Sequence, residues 1–231
     1  MIQGIAFDLD GTIVDLEHVH FGGFIHAARE FGIFLDFDEL LAKIPGAIGG
    51  GDQKIAEGIA CLCDGIEPAR VKERKKYHYD RLLHDLTAID PRPGFLKIFH
   101  ELRGRGLKVA VGSSTTRQQG LRMMEKAQIA DLFPPDCVVL AENVKNLKPA
   151  PDSYLETAHR MRISPNEQLV FEDSAVGIKA AVAAGSCGIG VPVFNLPWLL
   201  DQIRDAGAKK IFFQWDEIDV QRLLKEINNE S

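Results

Sequence analysis

Cysteine is scarce, with four among 231 residues. Cys61, Cys63, Cys137 and Cys187 are scattered, and the one close pair is C-x-C rather than the C-x-x-C of zinc ribbons and thioredoxin-like motifs. Buried, reduced thiols are therefore expected, in place of a disulfide scaffold or a structural zinc site. Long apolar runs are missing too. No window approaches the roughly 18 apolar residues of a membrane span, and no basic segment followed by an apolar stretch opens the chain, so a cytoplasmic location is expected. Positive charge is in deficit, 27 Lys and Arg against 33 Asp and Glu, for a net charge of −6. That balance removes any general attraction for nucleic acid or anionic lipid, and neither is expected as a partner. A local anion site is still compatible with it.

What is present suits a globular enzyme-sized chain: 45% apolar and 26% charged residues, without the apolar depletion of disorder. Short apolar runs recur at 2–7, 107–112, 136–140, 168–173, 186–191 and 209–213 and read as strands. Segments with helical spacing lie between the later ones, at 93–104, 116–127, 151–161, 175–184 and 196–206. Thr115 or Thr116 can cap the second of these, Pro151 and Asp152 suit a first turn, and Gly185 follows the fourth. The alternation predicts an α/β fold with a doubly wound parallel sheet covered on both faces. Residues 17–88 contain no convincing strand and read as several helices broken by "PGAIGGGD" and "CDGIEP", an inserted helical domain. The prolines of "DPRPG", residues 90–94, make a stiff exit from it. The domains expected are thus a core of 1–16 with 89–231 and an insert of 17–88. The last residues, "NNES", read as a tail.

In open parallel sheets the ligand crevice lies beyond the carboxyl ends of the strands, so polar residues that follow each apolar run should converge. Asp8 and Asp10 follow the first run, Ser113 and Ser114 the second, and Glu172 and Asp173 the fourth; Lys148 lies in the loop after the third. Carboxylates buried together without a cation raise one another's pKa, at about 1.4 kcal/mol per unit. Oxygen ligands with no histidine or cysteine favour Mg²⁺, and the lysine, the hydroxyls and free N–H groups at a helix start suit the oxygens of a phosphoryl dianion. Alternation along an extended segment points Asp8 and Asp10 to one side, so one can attack while the other moves a proton. Gly11 allows a sharp turn after them.

The stretches "DLDGT" at 8–12, Ser113 after "VAVG", "KPAPD" at 148–152 and "FEDSAVGIKAA" at 171–181 resemble, in order and spacing, the four motifs of haloacid dehalogenase superfamily phosphatases. The helical insert after the first motif resembles the cap of the β-phosphoglucomutase-like subfamily. The resemblance implies a Rossmann-like core with an α-helical cap. It makes Asp8 the nucleophile and Asp10 the general acid/base, with Asp8, the Asp10 carbonyl and Asp173 on Mg²⁺ and Glu172 joining directly or through water. Ser113, the Ser114 main chain and Lys148 match phosphate-holding positions. Leu147 replaces a glycine common in relatives, with little chemical consequence expected. Asp10 itself argues against carbon–halogen cleavage, because the true dehalogenases lack that aspartate.

The cap leaves the acceptor open. His20 and Gly46 match mutase positions and Lys75 resembles a substrate-facing one, but Gly49 stands where the mutase has an arginine for a second phosphate. The expected activity is Mg²⁺-dependent hydrolysis of a small phosphorylated metabolite, a sugar or sugar-alcohol phosphate, through an aspartyl-phosphate. Mutase-type phosphoryl transfer and a non-catalytic phosphometabolite sensor are the alternatives. A Schiff-base hydrolase finds no motif around Lys43 or Lys54. The triple glycine Gly49–Gly51 reads as an adaptable cap loop or a plain connection, Trp198 and Trp215 as packing residues, and the protein as a monomer or weak homodimer.

Overall fold

A computed structural model of the chain describes residues 1–49 and 51–230. Two compact units emerge, one of Met1–Asp15 with Ala88–Ser231 and one of Leu16–Thr87. Among the described residues no helix is long and apolar enough to cross a membrane.

The first unit is built on six parallel strands, β1 (Gly4–Phe7), β2 (Lys108–Gly112), β3 (Val138–Val139), β4 (Gln168–Glu172), β5 (Cys187–Gly190) and β6 (Lys210–Ile211), in the order β3-β2-β1-β4-β5-β6. The chain runs outward from β1 through β2 to β3, then returns to lay β4 on the other side of β1, so the direction of winding reverses between β1 and β4. That reversal opens a crevice at the carboxyl ends of those two strands. β3 and β6 are shorter than their apolar runs suggest. A 3-10 turn at Pro135–Cys137 consumes the start of the former, where proline fixes φ and lacks an N–H to give the ladder. β6 lies at the sheet edge and pairs for two residues only.

Residue alternation assigns the sheet's two faces. Ala6, Val170 and Tyr154 pack with Ala180, Ala181 and Ala184 on one face. On the other, Phe7 and its register partner Phe171 stack at 5.5 Å, and Phe95, Phe99 and Trp215 close around Phe7. Half-polar β-strands would break this pattern; these are buried along nearly their whole length, as a sheet covered on both faces requires. Helices α5 (Phe95–Gly104), α6 (Arg117–Lys126), α7 (Asp152–Met161), α8 (Ala175–Ala183) and α9 (Pro197–Asp205) connect the strands. Thr116 caps α6 by accepting from the Gln119 N–H, and Ser174 caps α8 by accepting from Gly177.

A last helix, α10 (Val220–Glu230), takes in Asn228 and Asn229, which sequence reading left as a tail. The Asn228 side chain accepts from the Ile2 main-chain N–H, tying the helix to the first strand. Composition does not carry that signal, because the tether joins residues 226 positions apart.

The second unit is helical throughout: α1 (Glu17–Glu30), α2 (Phe37–Lys43), α3 (Gly51–Ala60) and α4 (Pro68–Asp85). α1 and α4 form its main contact. Val19, Phe24, Ala27 and Ala28 are buried on α1, with Val71, Tyr79 and Leu83 on α4. Asp36 and Glu39 form a reciprocal capping box at α2, and Pro68 opens α4. Cys61 and Cys63 are exposed, not buried, because they lie in the turn that ends α3; only Cys137 is fully buried, and all four are free thiols. Trp198 is half exposed at the start of α9, so of the two tryptophans only Trp215 is a core residue. Gly50, the middle of the triple glycine, and Ser231 lie outside the described residues.

Trp215 joins this core to the loop after β1, since its ring lies against Phe7, Phe95 and Phe171 and its Nε1–H donates to the Thr12 carbonyl at 3.2 Å. Trp215→Ala should cost about 3–5 kcal/mol of stability. Urea unfolding followed by circular dichroism measures it, and a loss under about 1 kcal/mol would show that the cluster repacks around the gap.

Candidate active site

β1 ends at Phe7, and the Asp8 N–H still donates to the Phe171 carbonyl at 3.0 Å. The chain then turns, with the Leu9 carbonyl accepting from the N–H groups of both Ile13 and Val14 and Asp10 bridging to Val14. Leu9 is fully buried, whereas Asp8 keeps 7% exposure and Asp10 is half buried. Asp8 thus continues the ladder past β1, and Asp10 lies where the chain enters the turn closed by the Leu9 carbonyl.

Lys148 bonds directly to Asp8 here and draws in a network of polar side chains. The Lys148 ammonium donates to Asp8 Oδ1 at 2.6 Å, to Glu172 Oε1 at 2.6 Å and to the Gly112 carbonyl at 2.8 Å. Its three hydrogens are all committed within the protein. The Tyr154 hydroxyl donates to the same Glu172 Oε1 at 2.8 Å, while Glu172 Oε2 accepts from the Ser174 N–H and hydroxyl. The Lys148 ammonium also lies 4.7 Å from the Tyr154 ring centroid. Asp173 Oδ1 accepts from the Thr12 hydroxyl at 3.1 Å.

Two glycines make room for the carboxylates. Gly11 has φ of 90°, and a Cβ there would stand 2.4 Å from Asp173 Oδ2. At Gly177, in the first turn of α8, a Cβ would stand 1.7 Å from Glu172 Oε1. Each glycine thus admits a carboxylate against the main chain.

Burial dominates the electrostatics. It pushes the Asp8 carboxyl up to about 7, with Lys148 opposing the rise and the charges of Glu172 and Asp10 adding to it. For Lys148, burial disfavours the ammonium, but Asp8 and Glu172 hold its pKa above the ordinary value. Tyr154 is held well above its ordinary value by burial and then by Glu172, so its hydroxyl remains a donor. Carboxylate oxygens of Asp8, Glu172 and Asp173 lie within 4.8 Å of one another. Such an all-oxygen set suits a hard divalent cation, which would also offset the cost that keeps Asp8 from ionising. Glu172 is the member least free to serve, because both of its oxygens already accept hydrogen bonds.

Ser113 and Ser114 follow β2 into the same crevice. Ser113 Oγ donates to Thr115 Oγ1 at 3.1 Å, and the Ser114 hydroxyl is buried without a hydrogen-bond partner among the described residues. A buried hydroxyl without a partner costs free energy.

The sequence of the haloacid dehalogenase-like hydrolases, taken as a family profile, matches residues 5–191. The chain belongs to this family. The haloacid dehalogenase-like fold extends over the whole chain: a conserved protein of unknown function from Agrobacterium tumefaciens superposes with a TM-score of 0.81 over 99% of this chain and 100% of its own, at 22% identity. The Escherichia coli fructose-1-phosphate phosphatase YqaB is 32% identical over 81% of this chain and 95% of its own. The Bacillus subtilis β-phosphoglucomutase is 26% identical over 96% and 100%.

Of the residues nominated from the cap-like insert, His20 and Lys75 meet within the helical unit. Lys75 is 5% exposed, its ammonium 2.8 Å from Asp52 Oδ2 and 2.9 Å from His20 Nδ1, and His20 stacks on Tyr79 at 4.4 Å. Gly46 lies in the turn after α2, beside the Lys54 ammonium, and exposed Gly49 has φ of 75°. Lys43 and Lys54 are solvent-exposed. Four participants in the hydrolase site escaped sequence reading: Tyr154, Thr12, Gly177 and Ser174. Thr12, Ser174 and Gly177 lie inside quoted motifs without an assigned task. Tyr154 carries no local signal, since its partner is 18 positions away.

The raised Asp8 has a stability signature. A group whose folded pKa exceeds its ordinary 3.8 stabilises the native state below 3.8, and that contribution is lost as pH rises through about 7. Without a divalent cation, Asp8→Asn should therefore melt above the native sequence at pH 8, by on the order of 5 °C, with the difference shrinking between pH 7 and pH 4. Thermal melts in EDTA measure it; a variant melting lower at pH 8 would mean that the pairing with Lys148 outweighs burial.

Proposed function

We propose that the protein hydrolyses the phosphate monoester of a small polyhydroxylated metabolite, a sugar or sugar-alcohol phosphate, through an aspartyl-phosphate on Asp8. The family's hydrolase character and the relative named as a sugar-phosphate phosphatase support a phosphoric monoester hydrolase. One observation carries the reading: Asp8 is buried against a fully bonded lysine and belongs to an all-oxygen carboxylate cluster with Glu172 and Asp173.

Asp8 Oδ1 is held by Lys148, which leaves Oδ2 to attack phosphorus. The P–O bond to the leaving alcohol breaks as the Asp8–phosphorus bond forms, and Asp10 gives its proton to the departing oxygen. Asp10, now a carboxylate, takes a proton from water as that water attacks the phosphoryl group, releasing inorganic phosphate and restoring Asp8. Lys148 acts as a fixed positive charge, since it has no hydrogen left to donate, and Ser113 with Ser114 supplies donors to the phosphoryl oxygens. Asp8, the Asp10 carbonyl and Asp173 would hold Mg²⁺, with Glu172 outside the ligand set as the partner that orients Lys148. When bound there, the cation would supply charge compensation for the phosphoryl oxygens and would lower the cost of an ionised Asp8.

Water is favoured over a second sugar hydroxyl as acceptor. In the helical unit the Lys75 ammonium is already neutralised by Asp52, and the residue at position 49 is a glycine, which itself offers no charge to a second phosphate. The similarity to a β-phosphoglucomutase over that enzyme's full length keeps the transfer reaction as the second reading.

A panel of metabolite phosphates assayed for inorganic phosphate decides between them. Release from sugar phosphates is expected, abolished by EDTA and restored by Mg²⁺; isomerisation of β-glucose 1-phosphate without release would establish the mutase, and tight binding with no turnover a sensor. Asp8→Asn should lower kcat by on the order of 10³-fold or more, and substantial turnover by that variant would sink the assignment.

A further inference from the structure

The exit segment "DPRPG" reads in sequence as a stiff connector because of its prolines. Its arginine does something else. From Nη1, Arg92 donates to the Gly11 carbonyl at 2.6 Å and to the Val191 carbonyl; from Nη2 it donates to the carbonyls of Pro192 at 3.0 Å and Phe213 at 3.4 Å. Its main-chain N–H donates to the Ile13 carbonyl at 2.7 Å, and the preceding Pro91 bridges to Val14. One residue therefore ties the loop after β1 to the ends of β5 and β6. Arginine on a protein surface ordinarily meets carboxylates; this guanidinium spends its hydrogens on neutral main-chain carbonyls of three loops. Burial lowers its pKa accordingly, with Asp173 and Asp15 opposing.

The Asp10–Gly11–Thr12 turn is consequently held at three points: the Gly11 carbonyl by Arg92, the Thr12 hydroxyl by Asp173, and the Thr12 carbonyl by Trp215. Asp10 is half buried where the chain enters that turn and bridges to Val14. We infer that Arg92 is a positioning residue for Asp10, setting the place from which that carboxyl protonates the leaving oxygen. The inference rests on the phosphatase reading above and on Asp10 as its acid.

A general acid matters in proportion to how poorly the leaving group departs unaided. The alkoxide of a sugar needs a proton, whereas 4-nitrophenolate does not. Misplacing Asp10 should thus damage alkyl ester hydrolysis and spare aryl ester hydrolysis, whereas a general loosening of the fold would lower both alike. The experiment uses full-length Arg92→Met and Arg92→Lys with fructose 1-phosphate and 4-nitrophenyl phosphate, recording kcat and KM for each. In Arg92→Met, kcat on the sugar ester should fall at least about tenfold further than on the aryl ester, with KM within about threefold. Arg92→Lys, which keeps the charge but lacks the planar fork, should recover part of the loss. If Arg92→Met does not fold, the same selective loss in Arg92→Lys is the criterion. Equal losses on both esters, or a change confined to KM, would overturn the inference while leaving the phosphatase reading intact. Failure of the unmodified protein to release phosphate from either ester would overturn both.

Discussion

The ion pair between Lys148 and Asp8, closed by Glu172, is the constraint on which the rest of the site depends. A buried ammonium beside one carboxylate is costly, and the second carboxylate, the Gly112 carbonyl and the Tyr154 ring together make it tolerable. Glu172 in turn needs its own partners, Tyr154 and Ser174, and needs the absence of a Cβ at Gly177. The consequence reaches into the fold. α7 supplies Tyr154, the start of α8 supplies Ser174 and Gly177, and the loop between β3 and α7 supplies Lys148, so three connections must be seated before Asp8 is oriented.

That arrangement is unfavourable for stability and useful for chemistry. Asp8 is pushed up to about 7 even with a lysine in contact, which means that the folded chain alone does not repay the burial of its charge. On the proposed reading, a divalent cation and a phosphoryl group would bring the missing charge. Energy withheld from the unliganded state is then available to binding, the pattern expected where strain is stored at a reacting centre. The aromatic cluster of Phe7, Phe95, Phe171 and Trp215 supplies rigidity on the opposite face of β1, with Trp215 gripping the Thr12 carbonyl from below the turn.

The helical unit shows how a charge becomes unavailable. Lys75 looks in sequence like one cation in a basic run, a solvated helix face with a single position aimed at substrate. In the folded unit it is buried among Phe24 and Tyr79 and paired with Asp52 and His20. Asp52 belongs to α3 and Lys75 to α4, so the pairing exists only once those helices pack.

Periodicity and motif spacing by themselves determined the parallel α/β class, the helical insert, and the nomination of Asp8, Asp10, Ser113, Lys148, Glu172 and Asp173. These were legible because a sheet buried on both faces demands unbroken apolar strands, and the polar residues that follow each strand stand out against them. Tertiary structure alone decided how the nominated residues divide their work. Lys148 spends every hydrogen on the protein, Glu172 is saturated, Asp10 hangs from a turn held by Arg92, and Tyr154 enters from a helix with no motif of its own. Apart from the two bonds that Ser174 gives Glu172, each of those assignments is a hydrogen bond between residues from 18 to 140 positions apart. A sequence displays which donors and acceptors exist, but their pairing is set by the packing that brings distant segments within 3 Å and removes the water that would otherwise satisfy them.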